Sequence, residues 1–463
     1  MADDTPISPN QFGMLFRGFL EQALTAAPAE QPFVARRLRE HFGTDPHKLP
    51  TLKDEIDRPD HPNLHLAIEA YLQADGRRAE LVGFSGIEHY GELSISTLLL
   101  ARGGGAKEGP VQYASVALAD GQVLPCVARG LYLIADGAKK LALLVSAGHA
   151  MMPGARLQVD VMAPDHADAV RLLGELRTSM RRRNVYRGHV ISLGVSPQGD
   201  GLRVDFHRLR PIERGDIVLP PGVLERIERQ TAGFSRQRDR LLAARRHLKR
   251  GLLLYGPPGT GKTLTAMYLA TQMKDRTTFL LTGHIFGFLE RSCAMARLLE
   301  PATMILEDID LIAGERTGPG ACGVLLFELL NQMDGLADDA DIVFILTTNR
   351  PDILEPALAA RPGRVDLAVE IPQPDADCRR RLLDLYGRGL TMRVSDVDRL
   401  VQRTEGVSAA FIRELLRRAA LVAADETGDT AVEDRHIDSA LHELLVLGGG
   451  LTRSLLGVAG APA

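Results

Sequence analysis

The sequence predicts an α/β chain whose second half is a parallel sheet with helices on both faces, followed by a helical lid and preceded by an α+β domain. Three observations carry this. Between residues 251 and 371 short apolar runs alternate with helical stretches, as parallel strands joined by crossover helices require. The octapeptide Gly256-Pro257-Pro258-Gly259-Thr260-Gly261-Lys262-Thr263 follows the apolar run Leu252-Leu253-Leu254-Tyr255 directly, so a buried strand delivers the chain into a glycine-rich loop and then a helix. The first 205 residues show short strand-like runs set between helices instead.

Taken in order, Phe12, Leu15, Phe16, Phe19 and Leu20 recur at helical spacing and predict an amphipathic helix. Its polar face lacks the basic residues of a membrane-surface helix, so packing on its own domain is expected ahead of docking a partner. A helix over 63–73 follows, then strands over 111–118, 123–127 and 141–146, with Asp120-Gly121 and Asp136-Gly137 as turns between such runs. Residues 157–162 alternate apolar and polar and predict a half-buried strand, ahead of a helix over 166–183 and strands over 189–193 and 202–206. Strands are expected over 251–255, 278–282, 303–309, 342–348 and 365–371, with helices over 264–274, 286–299 and 324–333 between the first four. Beyond Pro372 and Pro374 the pattern is helical near 378–385, 408–424 and 434–445. The expected domains are therefore 1–205 (α+β), 206–374 (large α/β), 375–447 (helical lid) and a flexible Gly/Ala-rich tail, 448–463.

The chain has 463 residues, 45% of them hydrophobic, enough to bury large cores. A formal net charge of -4 argues against the global basic field that nonspecific nucleic-acid binding needs. The cysteines Cys126, Cys293, Cys322 and Cys378 are scattered without C-x-x-C spacing, which speaks against a disulfide framework or structural zinc site and fits a reducing cytoplasm. Met1-Ala2-Asp3-Asp4 is acidic where a signal peptide is basic, and no apolar stretch reaches membrane-spanning length. Gly103-Gly104-Gly105 reads as a mobile loop, Arg181-Arg182-Arg183 as a helix C-terminus, and the basic run 236–250 as a solvated helix face.

The glycine-rich octapeptide fits G-x-x-x-x-G-K-[ST], the P-loop of nucleoside triphosphate sites. Gly256, Gly259 and Gly261 let successive backbone N–H groups close on phosphate oxygens, Pro257, Pro258, Thr260 and Leu264 being the remaining residues of the expected nucleotide-binding stretch; Lys262 reaches the outer phosphates and the Thr263 hydroxyl is placed to ligate Mg²⁺. Met304-Ile305-Leu306 ends in Glu307-Asp308, paired carboxylates at the C-terminal edge of a strand, where open α/β sheets bind ligands. One suits Mg²⁺ and the other suits the attacking water. Thr347-Thr348-Asn349 sets an amide at the end of the next strand, and Arg361-Pro362-Gly363-Arg364 follows.

Together these stretches, with Leu330-Asn331-Gln332-Met333-Asp334-Gly335, resemble the AAA family of ATPases over roughly residues 214–445, about half of the chain. The resemblance implies ATP with Mg²⁺ held by Thr263 and Glu307, Lys262 on the phosphates and Asp308 as the water-polarising carboxylate. It also implies Asn349 as a sensor positioning that water, and Arg361 and Arg364 as arginine fingers given to a neighbouring subunit's nucleotide, hence a ring, most simply a hexamer. The Glu-Asp order reverses the commoner family order and resembles the mitochondrial translocase type; the shorter Asp308 implies slow hydrolysis. Gly406-Val407-Ser408-Ala409-Ala410 is similar to the lid loop near adenine and ribose, departing at Ala409 (usually Gly) and Phe411 (usually Asp). Phe286-Gly287 stands where relatives carry an aromatic pore loop; a core role for Phe286 is the equal alternative. His442-Glu443-Leu444-Leu445-Val446 has Val where H-E-x-x-H needs its second His, so the membrane-anchored protease branch is not expected.

The leading functional expectation is a ring ATPase remodelling protein clients chosen by the N-terminal domain. A nucleic-acid loader or recombination ATPase is the alternative, weakened by the acidic balance. A small-molecule phosphotransferase is the third, weakened by Arg361 and Arg364, which a monomeric kinase does not need.

Overall fold

A computed structural model describes residues 12–19, 32–86, 93–100, 106–147, 156–195, 202–248, 250–310, 329, 331–333, 335, 340–352 and 365–447. The chain divides into two compact units, residues 1–185 with 195–203, and residues 186–194 with 204–463. Among the described residues no helix is long and apolar enough to cross a membrane.

The first unit is built on a six-stranded antiparallel sheet of β1 (Thr51–Ile56), β2 (Arg77–Val82), β5 (Gln112–Ala117), β6 (Val123–Asp136), β7 (Lys139–Ala147) and β8 (Leu157–Met162); the short pair β3 (Phe84–Ser85) and β4 (Lys107–Glu108) stands apart. The order is β1-β8-β7-β6-β2, with β5 also on the long β6. Period-two alternation decides what each face meets. Tyr132, Ile134, Leu141, Leu143, Val145, Val159 and Val161 pack with Leu64, Ile68 and Leu172 of helices His61–Leu72 and His166–Arg182. Leu131, Leu133, Ala142, Leu144 and Met162 pack with Val34, Leu38, Ile95 and Leu98 of helices Phe33–Phe42 and Ile95–Leu100.

Because both faces are covered, β8 is not half-buried as its alternation predicts. Asp160 is buried and accepts a 2.8 Å hydrogen bond from Ile95 N, the first residue of helix Ile95–Leu100. Over 12–19 the chain is helical, but Phe12, Leu15, Phe16 and Phe19 are exposed, Phe12 and Phe16 stacking on each other at 5.8 Å, so the expected packing on its own domain is not found.

The second unit carries a seven-stranded sheet of β9 (Val190–Val195), β10 (Leu202–His207), β11 (Arg250–Tyr255), β12 (Thr277–Leu281), β13 (Ala302–Leu306), β14 (Ile342–Thr348) and β15 (Leu367–Glu370), in the order β10-β9-β12-β13-β14-β11-β15. β9 pairs in parallel with β12 through Val190↔Thr278 and Ile191↔Phe279, so β9 and β10, which begin ahead of the expected boundary at 205, extend this sheet. The strands from β12 to β15 and β11 are all parallel neighbours. Leu252, Leu254, Ile305, Val343 and Ile345 bury one face against Ala266 and Leu269 of helix Lys262–Gln272 and Ile227 of helix Val223–Gln230. On the other, Met304 Sδ meets Cys293 Sγ of helix Leu289–Leu298 at 3.7 Å. That helix begins at Leu289, after a 3₁₀ turn over Gly283–Phe288, later than the sequence suggests.

Four helices follow. Asp375, Asp396 and Ser408 cap Ala376–Tyr386, Val397–Arg403 and Ala409–Thr427 by accepting from Cys378, Arg399 and Phe411 N–H groups. With Asp434–His442 and the parallel pair β16 (Thr391–Arg393) and β17 (Ala431–Glu433) they enclose a core around Leu383, Phe411, Leu415 and Ile437. The Gly103–Gly105 loop, most of the helix expected over 324–333, Arg361, Arg364 and the tail 448–463 lie outside the described residues.

Candidate active site

The parallel order places β11 between β14 and β15, with β13 beyond β14. Chain that leaves β11 for β12 crosses to one side while β15 closes the other, and ligands of open α/β sheets sit at such a reversal, outside the C-terminal strand ends. Three predicted motifs leave neighbouring strands at that edge: the P-loop after β11, Glu307-Asp308 after β13, and Asn349 after β14.

The loop's conformation depends on glycine. Gly256 has φ 143°, and a Cβ there would stand 2.3 Å from the Ile371 carbonyl oxygen, which cannot yield because Ile371 N donates to Tyr255 O at 2.7 Å. Gly259 (φ 75°) has Ser408 Oγ where a Cβ would come within 2.7 Å. Its carbonyl accepts from Ala410 N at 3.0 Å, so the lid loop around Ser408 does lie on the P-loop, as the resemblance implies. Phe411, one of the two departures, is fully buried in the lid core and serves packing. Thr260 Oγ1 donates to Pro257 O at 2.9 Å and closes the loop over Pro258. Gly261 (φ 102°) is the N-cap of helix Lys262–Gln272, whose free N–H groups and dipole favour an anion. Thr263 and Leu264 are exposed in its first turn.

Lys262 is 5% exposed and donates to the carbonyls of Gly256 (2.9 Å) and Pro257 (2.8 Å). Burial lowers its pKa to about 8, with the carboxylates of Asp308 and Asp310 acting against that. Burial, then the neighbouring Asp308, raises the pKa of Glu307. Burial and then Asp310 raise that of Asp308, opposed by Lys262 and a hydrogen bond from Asn349. Asp308 sits in the left-handed region at φ 47°, which Asp tolerates better than most residues but which still stores about 1 kcal/mol or more. Two contacts hold it: Asp308 N donates to Thr347 Oγ1 at 2.9 Å, and Asn349 Nδ2 donates to Asp308 Oδ1 at 3.3 Å.

Asp310 was not singled out by the sequence, yet it organises this edge. Its Oδ1 accepts from Thr348 Oγ1 (2.8 Å) and from Asn349 N (3.0 Å), fixing the backbone that carries the Asn349 amide. The spacing Glu307-Asp308-Ile309-Asp310 was its one visible sign.

The residues present suit a divalent cation and a polyphosphate. Glu307 Oε1 is buried without a hydrogen-bond partner, a cost that a cation ligand removes. Among the described residues the carboxyl groups of Glu307, Asp308 and Asp310 face one ammonium, that of Lys262, so added positive charge favours a phosphate there. The structure therefore brings Lys262, Thr263, Glu307, Asp308 and Asn349 to one sheet edge. Arg361 and Arg364 are outside the described residues, and so is the side chain of Phe286.

Residues 252–373 match the family described as "ATPase family associated with various cellular activities (AAA)", and residues 395–439 match "AAA+ lid domain". The ATP-dependent zinc metalloprotease FtsH of Mycobacterium tuberculosis is 33% identical over 246 residues, 49% of this chain and 32% of that protein. The 26S proteasome regulatory subunit 10B homolog A of Arabidopsis thaliana is 32% identical over 199 residues, 40% of this chain and 50% of that protein. FtsH 3 of Synechocystis is 33% identical over 239 residues, 48% of this chain and 38% of that protein. The chain thus matches half or less of the length of these relatives. A P-loop, a carboxylate pair and a polar amide on three neighbouring strands, beneath a helical lid, are accounted for together: the ATPase module of this chain belongs to the AAA family.

Proposed function

We propose that this chain is an Mg²⁺-dependent ATPase that works as a ring, most simply a hexamer in the cytoplasm, and remodels or translocates protein clients. The observation that carries it is the convergence of Lys262, Glu307, Asp308 and Asn349 at the ends of β11, β13 and β14. The P-loop N–H groups and the Lys262 ammonium bind and orient the phosphates, and Thr263 and Glu307 would hold a divalent cation, whose chemistry there would be neutralisation of phosphate charge. Asp308, with a raised pKa and an Oδ1 bound by Asn349, orients the attacking water and accepts its proton. Asp310 keeps Asn349 in register. Arg361 and Arg364 act on the nucleotide of a neighbouring subunit, a role the sequence pattern supports.

Protein clients are supported by the relatives, a protease and a proteasome subunit by name. Zinc proteolysis is not carried over, since His442-Glu443-Leu444-Leu445-Val446 lacks the second metal-binding His. The N-terminal unit selects the client. ATP hydrolysis is to be measured with a permanently unfolded polypeptide, with DNA and with RNA. Acceleration by the polypeptide is expected, and acceleration by nucleic acid alone would replace this reading with a nucleic-acid motor. Mixing Arg361→Ala with Lys262→Ala subunits tests the ring: verified mixed assemblies should recover activity that neither parent has.

A further inference from the structure

The first unit contains a cavity of about 820 Å³ that ATP hydrolysis does not use. Arg171, Gly174, Thr178 and Arg182 follow one another along it at spacings of three and four, one face of helix His166–Arg182. That run of three turns makes it a groove on the order of 16 Å long, at 1.5 Å per residue. Ala67, Ala70 and Tyr71 of helix His61–Leu72 form the opposite wall.

The two ends differ in how their cations are used. At one, the Arg77 guanidinium lies 3.7 Å from the Tyr71 ring centroid and pairs with Asp136 and Glu175, both at 3.3 Å, while Arg171 pairs with Asp168 at 3.0 Å. Those charges are already met. At the other, Arg182 and Arg183 line the groove with no side-chain hydrogen bond or ion pair among the described residues. The helix dipole favours positive charge at this C-terminus but leaves the guanidinium donors unspent. Between the ends the lining side chains are small, Ala67, Ala70 and Gly174 with the hydroxyl residues Thr178 and Ser179, and a Cβ on Gly174 would meet nothing within 4 Å.

We propose that this groove binds an extended, acidic polypeptide segment, its carboxylates on Arg182 and Arg183 and its backbone along Ala67, Ala70 and Gly174. At about 3.3 Å per residue the groove spans roughly five extended residues, whereas a compact anion would fill only the arginine end. The inference rests on the reading of this unit as the client-selecting part and supplies the client's chemistry, a carboxylate-rich stretch.

The test uses the full chain, titrated at low salt with a fluorescein-labelled hexaglutamate peptide, and with hexalysine and tripolyphosphate as comparison probes. Hexaglutamate should bind, and more weakly as salt rises. The double substitution Arg182→Glu with Arg183→Glu should weaken it about tenfold or more, and Gly174→Trp, which fills the groove at an exposed position, should do the same. ATP hydrolysis without polypeptide should be unchanged in both. Equal binding by wild type and these variants, or equal binding of hexalysine, overturns the proposal; so does displacement of the peptide by equimolar tripolyphosphate, which would assign the groove to small polyphosphates. If hexaglutamate binds as expected but no polypeptide accelerates hydrolysis, the remodelling reading fails and the groove stands. If an unfolded polypeptide accelerates the arginine variant as it does wild type, the groove fails and that reading stands.

Discussion

Lys262 offers a perturbation that needs no substitution. Burial holds its pKa at about 8, while a triphosphate beside it would raise that value, because an anion favours the ammonium. A group whose pKa rises on binding contributes affinity that is fully present below the lower value and lost as pH climbs through it. ATP affinity should therefore be nearly flat from about pH 7 to 7.5. At about pH 9 only about a tenth of the free sites carry the ammonium, so the apparent Kd should rise about tenfold, or about 1.4 kcal/mol. Binding there should take up close to one proton per site. Calorimetric titration of the protein with ATP in buffers of different ionisation enthalpy reads both quantities. Lys262→Arg serves as the control, since a guanidinium does not deprotonate in this range and whatever affinity it retains should be independent of pH. A constant Kd up to about pH 9.5 without proton uptake would refute the placement of a buried ammonium on the phosphates.

Asp310→Ala should lower kcat about ten- to a hundredfold with KM little changed, because Asn349 loses the acceptor that fixes it while the P-loop is untouched; a change in KM alone would contradict this. Gly256→Ala should abolish ATP binding in a filter assay, since its Cβ would stand 2.3 Å from the Ile371 carbonyl oxygen; near-normal binding would show that this loop geometry is not required. The raised pKa of Asp308 should bring the acid limb of the hydrolysis profile above the ordinary carboxylate range, with activity present above the raised pKa and lost as pH falls through it; a limb near pH 4 would contradict the environment described.

The nucleotide half was legible because its signals are local. Glycines at fixed spacing after an apolar run, and strands buried on both faces such as Ile342–Thr348, are written in adjacent residues, and that strand was bounded correctly. What sequence missed depended on distant neighbours. Thr51–Ile56 is an edge strand with exposed charges, so its composition reads as loop. Val190–Val195 and Leu202–His207 have strand character, but only pairing with Thr277–Leu281 reveals which sheet they join. Asp160 alternates as a solvent-facing residue should, and is buried because a helix end supplies its donor. Asp310 acts through Thr348 and Asn349, which are 38 and 39 residues away in the chain.

The central claim is that Asp308 polarises the water while the P-loop and cation site bind ATP independently of it. It is tested most directly by measuring ATP binding and phosphate release side by side in wild type and Asp308→Asn. The account predicts binding within about threefold of wild type and phosphate release slower by about a hundredfold or more, with polypeptide clients retained on the ATP-bound variant. Phosphate release at the wild-type rate in Asp308→Asn, or loss of binding with it, would contradict the account.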